Sequence, residues 1–256
     1  MNIKGLNVLV TGGARGMGRT FVNCFAADGA NVAFCDLNDA DIAETEAEAR
    51  AHGTTVVGVH ANVANEADVA MLFAKAAEAL GGPIHVLINN AGILRDGLLV
   101  KIDKETGEVK KLGLKQWQEV IDVNLTGPFL CAREFAAQAI TNKLKSSCMV
   151  QISSISRHGN MGQSNYSAAK AGLISLTKLW AGELSRYGIR TGAIAPGFTG
   201  TPMVKQMRPE VLEMMLKPVP LRRIAEPEEM YQGIKFIVEC DYFTGRCIDI
   251  DGGLVL

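Results

Sequence analysis

What this chain of 256 residues lacks narrows its function first. No apolar run approaches the ~20 residues that cross a bilayer, so no membrane span is expected. Met1 to Gly5 shows neither the charged nor the apolar region of a secretory signal. Neither sign of charge dominates, with 26 basic residues against 27 acidic ones and a formal net charge of -1. Without a basic excess, no nucleic-acid partner is expected. The six cysteines, at 24, 35, 131, 148, 240 and 247, form no CxxC pair and no Cys/His cluster at zinc-like spacing, so no metal is expected. A disulfide framework belongs to short secreted chains. A reducing, cytoplasmic compartment is the expectation. Proline is scarce at 8 residues, whereas glycine is in excess at 27. That much glycine without a collagen-like period points to tight turns and close backbone contacts.

What is present is a rhythm. Short apolar runs predict strands at Asn7–Val10, Asn31–Cys35, Thr55–His60, Val86–Asn89, Met149–Ser153, Arg190–Ala195 and Arg246–Ile250. Several are continuous rather than alternating, as in parallel strands buried on both faces. Helical patterns lie between them, near 17–28, 39–52, 66–80, 114–141, 165–187 and 227–239, with Asp39 and Asn65 as N-caps. This alternation predicts an α/β fold: a doubly wound, seven-stranded parallel sheet with right-handed crossovers in three α/β/α layers. The chain reads as one domain, 1–256, with ligands at the carboxyl ends of the strands. Lys101–Lys111 breaks the rhythm. It reads as a charged hairpin turning at Thr106-Gly107, either surface decoration or part of a substrate mouth.

The first strand runs into Thr11-Gly12-Gly13-Ala14-Arg15-Gly16-Met17-Gly18, and a helical pattern follows. Gly12 permits a tight turn, Gly16 the approach of a pyrophosphate, and Gly18 close helix–strand packing. The helix N-terminus offers free N–H groups to the anion. Asp36 ends the second strand, 18 residues after Gly18. A carboxylate there accepts hydrogen bonds from the adenosine ribose hydroxyls and repels a 2′-phosphate, so NAD(H) is favoured over NADP(H). Arg15 argues the other way, because it can pair with that phosphate. Tyr166 and Lys170 stand at i and i+4, one turn apart on one helix face. An ammonium beside a phenol lowers its pKa and makes it a proton donor and acceptor for an alcohol or ketone oxygen.

The glycine turn, Asn89-Asn90-Ala91-Gly92, the Ser153-Ser154 strand end and the Tyr166–Lys170 pair occur in this order. Together they resemble the short-chain dehydrogenase/reductase family in its classical group, with its Rossmann-like fold. The resemblance runs from Gly5 to Asp251-Gly252-Gly253. Gly162-Gln163-Ser164-Asn165-Tyr166 and Ala195-Pro196-Gly197-Phe198 look most like the 3-oxoacyl-(acyl-carrier-protein) reductase branch. The resemblance implies a tetrad. Tyr166 moves the proton, Lys170 lowers its pKa and holds the nicotinamide ribose, a serine orients the substrate oxygen, and Asn124 anchors a relay water. The strand frame assigns the serine as Ser154; spacing back from Tyr166 assigns Ser153. Pro128 has no N–H, so the Asn124 carbonyl loses its usual i+4 donor and is expected to be free for that water.

Further cofactor contacts are implied at Met17, Asn62, Val63, Asn90, Gly92, Pro196, Gly197, Thr199 and Thr201. Asn62 replaces the family's usual Asp. Met203–Met215, between Pro202 and Pro218, resembles the family's substrate lid, taken as about 201–217. His158, Gln163 and Met203 are candidate substrate contacts. Lys143 and Lys145 match one part of the branch's basic carrier-protein docking patch, but Tyr187 stands before Gly188 where the branch has Arg. The reading is an NAD(H)-dependent oxidoreductase of secondary alcohols and ketones. A 3-oxoacyl-(acyl-carrier-protein) or acyl-CoA reductase and an idle NAD-binding regulator are the alternatives. A homotetramer is implied, with the apolar ending Leu254-Val255-Leu256 at a subunit interface.

Overall fold

The structure is a computed structural model and describes residues 1–200 and 209–254. Seven parallel strands form its central sheet: β1 (Asn7–Thr11), β2 (Asn31–Asp36), β3 (Val56–His60), β4 (Val86–Asn89), β7 (Ser147–Ile152), β8 (Ile189–Pro196) and β9 (Arg246–Ile250). Their order is β3-β2-β1-β4-β7-β8-β9. The chain leaves β1 toward one edge and returns to β4 on the other side. The crevice at this switch point opens above the ends of β1 and β4, where doubly wound sheets take their ligands.

The continuous apolar runs have the expected cause. Successive side chains of a strand point to opposite faces, and both faces here are covered. Val8 and Val10 of β1 join Phe34 in a core with Phe21 and Phe25 of α1 (Gly16–Ala27). Leu9, between them, joins Leu87 in the opposite core with Leu72 of α3 (Glu66–Ala79) and Phe135 of α5 (Gly127–Thr141). Phe21, Phe25 and Phe135 are fully buried. Truncating such a side chain costs about 3–5 kcal/mol.

Helix α2 covers Asp39–Arg50. Its N-cap is Asn38, whose side chain accepts the Asp41 N–H at 3.1 Å. The expectation that Asp39 caps this helix is therefore corrected by one residue: the cap stands before the first helical residue, and Asp39 is already inside. Asn65 does cap α3, accepting from the Asp68 N–H. The long helix expected over 114–141 is divided. α4 (Leu114–Ile121) passes through one π-helical turn, Asp122–Thr126, into α5. The Gly127 N–H donates to the Asp122 carbonyl, five residues back, and Pro128 follows without a donor.

Val100–Ile102 (β5) and Val109–Lys111 (β6) form an antiparallel hairpin, fully exposed, where the charged segment predicted one. α6 (Ser164–Leu184) follows β7. α7 (Pro209–Leu216) and α8 (Pro227–Glu239) precede β9. Of the expected lid, residues 201–208 lie outside the described residues. Leu216, at the end of α7, packs on a small cluster of Ile155, Val219 and Leu254 with Phe198.

Candidate active site

The switch-point crevice is built by side-chain to backbone hydrogen bonds between the end of β1 and the segment after β4. Thr11 Oγ1 accepts the N–H groups of Asn90 and Ala91, each at 3.1 Å. The Asn90 amide donates to the carbonyls of Thr11 and Gly12, both at 3.0 Å. Asn90 thus holds the glycine turn against the end of β4. A side chain at Gly18 would begin 1.9 Å from the Gly12 carbonyl oxygen, so only glycine lets α1 lie this close. Gly12 itself has φ +63 and faces the Ala91 backbone. Arg15 is the N-cap of α1 and makes no side-chain capping bond, which leaves the first-turn N–H groups without a side-chain partner from the cap. These features fit a pyrophosphate: a helix N-terminus without a side-chain cap beneath a turn kept close by its glycines.

Asp36 closes β2 beside that turn. Its Oδ2 accepts the Ala14 N–H at 3.2 Å and its Oδ1 the Leu37 N–H at 2.8 Å. Arg15 does not face Asp36; it forms an ion pair with Asp41 of α2. Asn62 accepts the Ala64 N–H through Oδ1 and gives its own N–H to Asp68, so it shapes the turn into α3. Val63 is buried against Gly127.

α6 starts under the ends of β7 and β8, and one cleft there holds Ser154, Tyr166 and Lys170 together with Asn90, Gly92 and Met17. Pro196, Gly197 and Thr199 form its far wall. Lys170 is 3% exposed, and its Nζ donates to the Ile152 carbonyl at 2.7 Å. Burial lowers its pKa to about 8. The ammonium lies over the Tyr166 ring, 5.4 Å from the centroid. The Tyr166 pKa is raised, chiefly by burial, while a hydrogen bond with Ser154 pulls it down and the charge of Asp96 adds to the rise. The lysine head is turned to a backbone carbonyl, and desolvation governs both groups.

The two serines have separate surroundings. Ser153 is 2% exposed and donates to the Lys170 carbonyl at 2.8 Å. Ser154 is half-buried, accepts the Ser156 N–H at 3.1 Å and reaches Tyr166. Asn124 sits in the π-helical turn, wholly buried. Its Oδ1 accepts the Ile93 N–H at 2.8 Å, and its Nδ2 donates to the Ile93 carbonyl at 3.0 Å. Asn89 Nδ2 donates to the Pro128 carbonyl at 3.3 Å and to Gln151 at 3.1 Å, tying the start of α5 to the sheet.

Gln163 lines the cleft and donates to Asp96 at 3.1 Å. His158 is exposed at the end of a 3-10 turn, and the cleft is lined instead by Ser156 and Asn160 from that loop. A His in a loop of this length carries no signal of its direction, so the substitution of Ser156 and Asn160 for it was invisible in the sequence. Ile93, Leu94 and Phe198 also line the cleft without a motif to announce them. Thr201 and Met203 lie outside the described residues, as do Val255 and Leu256. Among the described residues no group of His, Cys, Asp and Glu could hold a metal ion, and no helix is long and apolar enough to cross a membrane.

Comparison with known proteins agrees with this fold. A family model described as enoyl-(acyl carrier protein) reductase matches residues 12–255. A 3-oxoacyl-(acyl-carrier-protein) reductase of Thermotoga maritima is 38% identical over 259 residues, covering 100% of both chains. One from Synechocystis sp. is 39% identical over 253 residues, covering 97% of this chain and 96% of the relative. A solved structure from Sinorhizobium meliloti 1021, described as a candidate short-chain alcohol dehydrogenase, superposes with a TM-score of 0.85 at 29% identity, covering 98% of this chain and 96% of that one. The sheet order, the glycine turn, the Tyr166–Lys170 cleft and these full-length similarities place the chain in the short-chain dehydrogenase/reductase family, as an oxidoreductase acting on CH–OH groups.

Proposed function

We propose that this chain moves a hydride between NAD(H) and a secondary alcohol or ketone, with Tyr166, Lys170, Ser154 and Asn124 as its catalytic group. The cofactor preference rests on one observation. The Asp36 carboxylate ends β2 and is hydrogen-bonded to the glycine turn through Ala14. It stands where an adenosine ribose meets the fold, and a 2′-phosphate there meets like charge. The nicotinamide supplies the hydride when bound. Tyr166 gives a proton to the ketone oxygen, or takes one from the alcohol. Ser154 holds that oxygen, and its contact with Tyr166 supports this role over Ser153, whose hydroxyl is spent on Lys170. Lys170, at about 8 and tied to Ile152, passes protons to Tyr166 by way of water held at the Asn124 carbonyl.

A second reading for the substrate, a 3-oxoacyl thioester, is favoured by the full-length likeness to the two reductases named above. Lys143, Lys145 and Arg186 line one surface hollow, suited to an acidic carrier, with Arg186 stacked 4.9 Å over Tyr187. The proposed assembly is a homotetramer through α5 and α6, which expose Phe129, Ile140 and Leu179; elution of the free protein as a monomer in gel filtration would remove it. The chemistry is tested by absorbance at 340 nm with NADH and NADPH against acyl thioesters and a panel of cyclic and linear ketones. NADH-driven turnover of a ketone is expected. A preference for NADPH would overturn the cofactor assignment, and NADH binding without turnover on any of them would indicate an idle regulator.

A further inference from the structure

Arg15 of the glycine turn and Arg19 of α1 line one hollow together with Asp41 and Glu44. Both are matched by carboxylates from one face of α2. Arg15 pairs with Asp41, and Arg19 with Glu44 at 2.9 Å. Asp41 and Glu44 are three residues apart and share a helix face. The same face sends the Thr45 hydroxyl to the Ala14 carbonyl at 3.1 Å, so α2 is seated against the turn. Arg19 is further held by its own bond to Ala14. Arg15 is the freer of the two: its side chain is 62% exposed, whereas Asp41 is 24% exposed and fixed in the first turn of α2. The carboxylate is anchored, and the arginine comes to it.

We propose that Asp41 is a second selector against a 2′-phosphate, acting through Arg15. Asp36 opposes the phosphate directly. Asp41 removes the guanidinium that would otherwise receive it. A cation engaged by a fixed carboxylate must break that pair before it can clamp a phosphate, and the unpaired Asp41 then adds repulsion. The pair also explains why an arginine in the phosphate turn coexists with Asp36: it is occupied within the chain. This inference rests on reading the Asp36 corner as the adenosine site.

The test is titration calorimetry of the full chain with adenosine 2′,5′-bisphosphate and with 5′-AMP, which differ only in the 2′-phosphate. In Asp41→Asn, the affinity for the bisphosphate relative to 5′-AMP is expected to rise about three- to tenfold, because an exposed pair is released rather than a buried one. The gain should shrink as salt is raised from ~0.05 to ~0.5 M. It should vanish in the double variant with Arg15→Ala. Binding of 5′-AMP by each variant reports that the site is folded. An unchanged ratio in Asp41→Asn would overturn the proposal, and so would a gain that survives removal of Arg15. The NAD(H) reading is judged separately, on the unaltered chain with NADH and NADPH. An unaltered chain that prefers NADPH, combined with an Arg15-dependent gain in Asp41→Asn, would end that reading and leave this one standing.

Discussion

Ser153 Oγ donates to the main-chain carbonyl of Lys170 at 2.8 Å and so ties the end of β7 to the helix that carries Tyr166. Its neighbour Ser154 borders the same cleft, but its hydroxyl is the partner of Tyr166 rather than of the Lys170 main chain. Alanine at each position therefore separates a structural hydroxyl from a reactive one. Ser154→Ala should lower kcat about 10²-fold or more with little change in melting temperature. Ser153→Ala should cost about 1 kcal/mol of stability and keep most of the turnover. Steady-state kinetics beside thermal melts reads both, and loss of turnover in Ser153→Ala alone would reverse the assignment.

Tyr166→Phe removes one hydroxyl from a half-buried ring and leaves its packing. Turnover should fall by about 10²–10⁴-fold. The raised Tyr166 pKa also gives a direction with pH. Ketone reduction needs the protonated phenol, so kcat/KM for reduction should hold through the neutral range and fall only in alkaline solution, above the ordinary tyrosine value near ~10. A fall already at neutral pH would contradict the burial that shields this ring.

Lys170 gives a stability prediction with a definite sign. Its folded pKa, about 8, lies below the unfolded 10.5. Between these values the unfolded chain binds more protons than the folded one, so this group's contribution to stability rises with pH across that window. Below pH ~8 its burial as a cation is an unrelieved cost on the order of 3 kcal/mol, set against the bond to Ile152. The stability difference between the unaltered chain and Lys170→Met should therefore move in favour of the unaltered chain from pH ~8 to ~10.5. Chemical denaturation at a series of pH values measures it, and a difference that stays flat would refute the depressed pKa.

Pro128→Ala restores an N–H four residues after Asn124. If the Asn124 carbonyl, which Pro128 denies an i+4 donor, holds the relay water, this donor should compete with it and lower kcat several-fold with cofactor affinity unchanged. An unaltered kcat would dismiss the carbonyl's role.

The sheet was legible because its inner strands are buried on both faces, and continuous runs such as Val8–Val10 then leave little ambiguity. Helix ends were less so: Asn38 and Asp39 are both good capping residues, and only the bond to the Asp41 N–H decides between them. The Tyr166–Lys170 spacing was legible since one helix carries both. The bond from Lys170 Nζ to the Ile152 carbonyl was not, because a main-chain acceptor bears no side-chain signature. Asp96 escaped notice for a similar reason. It enters the site through Gln163 and the bridge of Gly97 to Gln163, which joins segments far apart in the chain.

The π-helical turn has a consequence for how α4 and α5 work as one rod. Each residue of a regular helix advances the side chains by about 100°. The wider turn at Asp122–Thr126 holds an additional residue and offsets the phase of the helix before it from the helix after it. Deleting one residue between 122 and 126 would thus restore a regular helix and also misalign it. Either the amide of Asn124 would swing away from Ile93, or Phe135 would rotate out of the core beneath β4. The irregularity works like a gear offset, letting one continuous helix present a polar side chain to the cleft at one end and an apolar stripe to the sheet at the other.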